Sequence, residues 1–272
     1  MSPHFETLSV ALADGVVTVE LNRPDKANAM SQAMWQDIRS VFRWVDESPE
    51  ARVAVIGARG KHFTSGIDLA MLAAMKQRNS DDGDGRWRES LRRQILDLQD
   101  TLTAMERCRK PVIAAIQGAC IGGGVDLITC CDMRYAAAEA YFSIKEIDIG
   151  ITADVGTLQR LPKLVPDGIV RELAYTGRRF DAAEAMEIGL VNRVFDSAES
   201  LRVGVAGIAA TIAGKSPLTI RGIKEMVVYS RDHTVADGLN YVATWNAAML
   251  VSEDLTEAMT AAIEKRPARF RD

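Results

Sequence analysis

A chain of 272 residues, 47% hydrophobic and 26% charged, can bury a sizeable core and is too apolar for disorder to be the default. A net charge of −4 at pH 7 gives no global electrostatic footprint for nucleic acid or an anionic membrane, which favours small-molecule chemistry. The four cysteines form no CxxC and the three histidines lie far from them in sequence, so reduced core thiols are expected and no metal site.

In chain order, Val16 to Leu21 alternates as a strand, a turn-rich loop follows, and Ser31 can cap an amphipathic helix to about Glu47. Arg52 to Ala58 is an apolar, β-branched strand leading into the loop RGKHFTSGIDL. Lys76 to Arg86 is charged and glycine-rich and reads as a surface loop, followed by a helix from about Trp87 to Arg107. The 20 residues from Val112 to Cys131, with only Gln117, Asp126 and Thr129 as polar side chains, are long enough for a membrane span. Three consecutive glycines and Asp126 fit a buried strand, tight turn and buried helix better. Two short strands follow in MRYAAA and AYFSI, completing an alternation of strands and helices typical of parallel sheets. After about Asp196 the pattern is helical: Ser197 to Ala213, Pro217 to Ser230, Val235 to about Leu250 and Asp254 to Lys265. The expected organisation is an α/β core over residues 1–196 and a helical region over 197–272.

Two phosphate-binding patterns fail. The GKS at Gly214 lacks the glycine five residues earlier, where Ala209 stands, and no GxGxxG follows a predicted strand. The N-terminus has no basic stretch followed by an apolar run and the final RFRD is no peroxisomal address, so a cytoplasmic location is expected by default.

The stretch from Ser143 to Leu161 sets Glu146, Asp148 and Asp154 among Ile, Val, Leu and Gly. An ionised carboxylate in such surroundings is solvated at an edge, takes up a proton or is functional. Two glycine-containing turns, FTSGIDL and GACIGGGVDL, each follow a strand and lead into a helix. Side by side, their unpaired backbone N–H groups could hold an oxygen that becomes negative during reaction. Asp126, just past the GGG turn, would lie beside that oxygen. Asp148 reads as a rim acid and His62 as a surface-loop residue.

The blocks LNRPDKANAM, FTSGIDL, KPVIAAIQGACIGGGVDLITCCDMRYAAAEAYFSIKEIDIGITADVGTLQRL and EAMTAAIEKR resemble the crotonase (enoyl-CoA hydratase/isomerase) superfamily over nearly the whole chain. That resemblance implies a spiral of ββα turns with a C-terminal helical trimerisation region, and a homotrimer or a hexamer made of two trimers. It implies an acyl-CoA thioester substrate, no cofactor, and an oxyanion hole formed by the backbone N–H groups of Ile67 and Gly123. Lys26, Ala27, Ala29, Ser65, Gly66 and Asp68 match the region that touches CoA in the family.

Hydratases of the family resemble one another in having Glu at position 126 and usually Gly at position 154. This chain has Asp at both, and with Glu146 the set looks like the Δ3,5-Δ2,4-dienoyl-CoA isomerases. The resemblance then implies that Asp154 takes a proton from C2 and Glu146 gives one to C6, although the residues alone leave the reverse order open, and that Asp126 tunes the site. A hydratase acting through Asp126 and Glu146 is the alternative enzyme, and Asp154 discriminates because it has no task there. An RNA-binding role, found in at least one relative, is disfavoured by the acidic balance and the lack of a basic run interleaved with aromatics.

Overall fold

The computed structural model describes residues 3–75 and 83–272. Most of the expected loop from Lys76 lies outside the described residues, and its last part, Asp84 to Arg86, opens a helix.

Nine strands are described: β1 (Leu8–Ala13), β2 (Val16–Leu21), β3 (Val53–Ala58), β4 (Val112–Ile116), β5 (Ala119–Ile121), β6 (Met133–Ala137), β7 (Tyr141–Ser143), β8 (Phe180–Asp181) and β9 (Arg193–Phe195). The helices are α1 (Gln32–Glu47), α2 (Leu69–Met75), α3 (Asp84–Arg107), α4 (Gly123–Thr129), α5 (Thr157–Arg160), α6 (Asp167–Thr176), α7 (Ala182–Glu187), α8 (Ala198–Ala213), α9 (Pro217–Tyr229), α10 (Val235–Met249) and α11 (Glu253–Glu264).

The larger sheet has the order β1-β2-β3-β4-β6-β9, antiparallel only between β1 and β2. Its middle strands are buried on both faces, which explains their continuous apolar runs. Ala54, Ile56, Val112, Ala114 and Ile116 face the main core. Val53, Ile113 and Ala115 face the other way, onto Leu201, Val205 and Ala209 of α8. The main core is closed by α1, whose Trp35, Ile38, Phe42 and Val45 recur at helical spacing, with α3 packed beside it. Ser31 caps α1 by accepting a hydrogen bond from the Met34 amide.

The smaller sheet, β5-β7-β8, makes the architecture a spiral. Each turn contributes one strand to the large sheet, one to the small sheet, and then helix: β4, β5 and α4, followed by β6, β7 and the segment leading to α5. The turn before them runs from β3 to Thr64, which bridges Cys120 of β5, and then to α2. Successive turns are in parallel register, so the chain leaves the small sheet at neighbouring places each time. The long apolar run from Val112 to Cys131 is therefore β4, β5 and α4, and no single described helix is long and apolar enough to cross a membrane.

Candidate active site

The parallel stacking puts the two glycine turns side by side. Thr64 N donates to Ala119 O (2.9 Å) and Ile121 N to Thr64 O (3.2 Å), locking the first turn to the second. The Thr64 hydroxyl donates to Asn28 O (2.7 Å) and accepts from Gly66 N (3.1 Å). Met30 N donates to Gly66 O and Asp68 N to Met30 O, which clamps the Ile67 peptide on its other side.

Glycine is required at two points here. Gly66 has φ +92°, and a Cβ on it would stand 2.9 Å from Ile121 O. Gly122 has φ +52°, and a Cβ there would meet Glu146 Oε1 at 3.1 Å. A Cβ on Gly123 would lie 3.9 Å from the Ile67 nitrogen, so the two expected donors are neighbours. Neither the Ile67 nor the Gly123 amide has a hydrogen-bond partner among the described residues.

These turns form one wall of a cavity of about 170 Å³, and Asp126, Glu146 and Asp154 line it with them. Asp126 has no exposed surface. Its Oδ1 accepts from the Thr157 amide at 2.6 Å, and its Oδ2 has no partner among the described residues. Burial pushes its pKa up to about 6, opposed by the Thr157 hydrogen bond and helped by the charge of Asp154. Glu146 opens a 3₁₀ turn, Glu146–Ile149, closed by Gly150, with Oε2 likewise buried and unpartnered. Burial first, and the charge of Asp126 second, push its pKa up to about 7. Asp154 is exposed as a residue, yet burial of its carboxyl raises its pKa as well. Its carbonyl accepts from Gln99 Nε2 of α3 at 2.6 Å.

The structure therefore gathers Ile67, Gly123, Asp126, Glu146, Asp154, Ser65 and Gly66 on one cavity. Lys26, Ala27, Ala29 and Asp68 are not on its wall but in the adjoining rim. Ala27 O accepts from Ser65 N (3.0 Å), and Asp68 pairs with Arg23 (3.1 Å), whose guanidinium also reaches Ala29 O. Lys26 is exposed in the same loop. Asp148 is exposed and ion-paired with Lys145. His62, read from sequence as a surface-loop residue, accepts the Ala119 amide on Nδ1 (3.1 Å) and holds β5, and its pKa is lowered chiefly by burial.

Three contributors escaped the sequence. The Thr157 amide is a backbone group that any residue would supply. Trp35 stands at a core position of an amphipathic helix and reads as packing. Arg23 precedes a proline in a loop, where an arginine carries no signal.

Larger clefts exist but lack this convergence. One of about 760 Å³ is lined by charged side chains that already have partners, among them Glu106 with Arg160 at 3.0 Å and Arg134 on the Leu190 and Cys131 carbonyls. Another of about 520 Å³ lies between α9, α10 and α11 and is mostly apolar.

A family model described as enoyl-CoA hydratase/isomerase matches residues 12–272. Among curated proteins, the chain is 51% identical, over 92% of its length and 90% of the relative, to an Arabidopsis thaliana protein named Delta(3,5)-Delta(2,4)-dienoyl-CoA isomerase, peroxisomal. It is 44% identical, over 98% of its length and 82% of the relative, to the Mus musculus protein of that name designated mitochondrial. Among solved structures, an enoyl-CoA hydratase from Bacillus anthracis superimposes with a TM-score of 0.89 at 32% identity, covering 98% of this chain and 99% of that one. These relatives correct the cytoplasmic expectation, since those at 44–51% identity are designated peroxisomal or mitochondrial. That expectation was a default drawn from missing addresses, and a missing address is no physical observation about the compartment.

Proposed function

Because this chain belongs to the enoyl-CoA hydratase/isomerase family, we propose that it converts a 3,5-dienoyl-CoA into the 2,4-dienoyl-CoA. The observation that carries this reading is one cavity lined by two unpaired amides and by two acids, Glu146 and Asp154, on either side of the Gly150 turn. The relatives named as dienoyl-CoA isomerases support it.

The thioester oxygen sits against the Ile67 and Gly123 amides, which stabilise negative charge as it develops. Asp154, ionised, removes a proton from C2, and the electron pair delocalises through the two double bonds into the thioester as an extended enolate. Glu146, which keeps its proton in about half of the molecules at neutral pH because its pKa is pushed up to about 7, delivers that proton to C6. One proton leaves and one arrives, so the reaction needs no electron acceptor. Asp126, anchored by Thr157, adds negative charge beside Glu146 and helps to keep it protonated. The rim of Lys26, Ala27, Ala29, Ser65, Gly66 and Asp68 receives the CoA moiety, and copies of the chain associate as trimers through the C-terminal helices.

Isomerisation in D₂O tests the assignment. Wild type should yield product deuterated at C6. Glu146→Gln should exchange the C2 protons without forming product, and Asp154→Asn should do neither. Exchange by Asp154→Asn but not by Glu146→Gln would reverse the two roles.

Hydration of a 2-enoyl-CoA is the second reading, favoured by Asp126 and Glu146 lining the same cavity. It gives Asp154 nothing to do.

A further inference from the structure

Trp35 lies in the first turn of α1, is 2% exposed, and lines the reaction cavity. Its indole Nε1 is buried with no hydrogen-bond partner among the described residues. Leaving such a donor unpaired is destabilising, and buried tryptophans ordinarily find an acceptor. The orientation of the ring indicates which acceptor is missing. Cζ2, on the N–H side of the indole, is 3.7 Å from where a Cβ on Gly123 would stand, and the Ile67 nitrogen is 3.9 Å from that same point. The ring edge that adjoins Nε1 thus packs against the Gly123 turn, next to the Ile67 amide, on the wall of the cavity. The other unpartnered atoms of the cavity, Asp126 Oδ2 and Glu146 Oε2, are not bonded to it.

We propose that Trp35 is a catalytic residue, donating its indole N–H to the thioester oxygen of a bound dienoyl-CoA as that oxygen becomes an enolate. This rests on the isomerase reading and adds a third donor to the Ile67 and Gly123 amides. A carbonyl oxygen offers two lone pairs, which the two amides occupy, whereas an enolate oxygen offers three. The indole bond is therefore made chiefly in the charged state, so it raises kcat more than it tightens ground-state binding.

The test compares wild type with Trp35→Phe, which removes the N–H and keeps an aromatic ring. The measurements are kcat for a 3,5-dienoyl-CoA across the pH range of activity and calorimetric binding of saturated octanoyl-CoA, which cannot form the extended enolate. The expected result is a fall in kcat of about 10- to 100-fold, octanoyl-CoA affinity changed by less than about threefold, and an unmoved pH profile. An unchanged kcat, or an equal loss of kcat and affinity, overturns the proposal. A displaced pH profile also overturns it, because the indole would then be acting through Asp126 or Glu146. If Trp35→Phe does not fold, benzothienylalanine at position 35, isosteric but without the N–H, gives the same readings. Wild type inactive on the diene would bring down the isomerase reading and the donor with it. An active wild type with an indifferent variant brings down the donor alone.

Discussion

At the scale of single residues, Glu146 costs the fold stability where it serves the chemistry. Its folded pKa of about 7 lies above its ordinary value of 4.5, so the folded state holds a proton that the unfolded state releases more readily. Stability from this group is complete below about pH 4.5 and is lost as pH rises through 7. Glu146→Gln should accordingly melt about 2–4 °C or more above wild type at pH 8, with the gap closing as pH falls toward 4.5, in thermal melts at several pH values. A constant gap would mean that the carboxyl is not held protonated. The free enzyme's kcat/KM should follow a bell, falling above pH 7 as Glu146 loses its proton and falling in acid as Asp154 gains one. A profile flat through pH 7 would remove Glu146 as the donor. Residues 126, 146 and 154 were legible in the sequence because acids are anomalous in an apolar stretch. Trp35 and the Thr157 amide were not, since a buried aromatic and a backbone N–H are what any core contains.

At the scale of elements, the site depends on the chain leaving the small sheet at the same place on successive turns. Gly66→Ala tests that dependence, because its Cβ would press on Ile121 O while the residue stays at φ +92°. Gly15→Ala is the control, with φ +78° in the β1–β2 turn away from the cavity, its added Cβ meeting only the Arg52 side chain. Both should lose about 1–2 kcal/mol in denaturant titration. Only Gly66→Ala should also lose about 10²-fold or more in activity. Equal activity losses would show that backbone strain, and not the join between the turns, sets the rate. The sequence marked β2, α1, β3, α3, β4 and the C-terminal helices, where periodicity is sustained or a cap is present. It did not mark β5, β8, β9, α5 or α7, which span two to six residues each; the three strands are fixed by pairing with other strands, and the two helices are too short to show a periodicity. β5 matters most of these, since its three residues sit inside one apolar run and still join the two turns of the site.

At the scale of the whole molecule, α8 is part of the core whereas α9 to α11 leave large apolar side chains in the open. Ile223, Val227, Leu239, Met259 and Ile263 are all exposed in the single chain. Large apolar side chains left open on three successive helices fit burial by further copies in the proposed trimer. Sedimentation should give about three or six times the 29.7 kDa of one chain, and Met259→Glu combined with Ile263→Glu should shift the mass toward that of one chain. A wild-type mass of one chain would refute the trimer. The spiral itself was legible only through resemblance, because no local pattern announces that strands will alternate between two sheets.

The most direct measurement of the central claim is the ultraviolet spectrum of 3,5-octadienoyl-CoA mixed with wild type and with Asp154→Asn, with 2-enoyl-CoA hydration followed in parallel. The isomerase account predicts a rising 2,4-dienoyl band with wild type and none with Asp154→Asn. An unchanged diene, with hydration that is indifferent to Asp154→Asn, would contradict it.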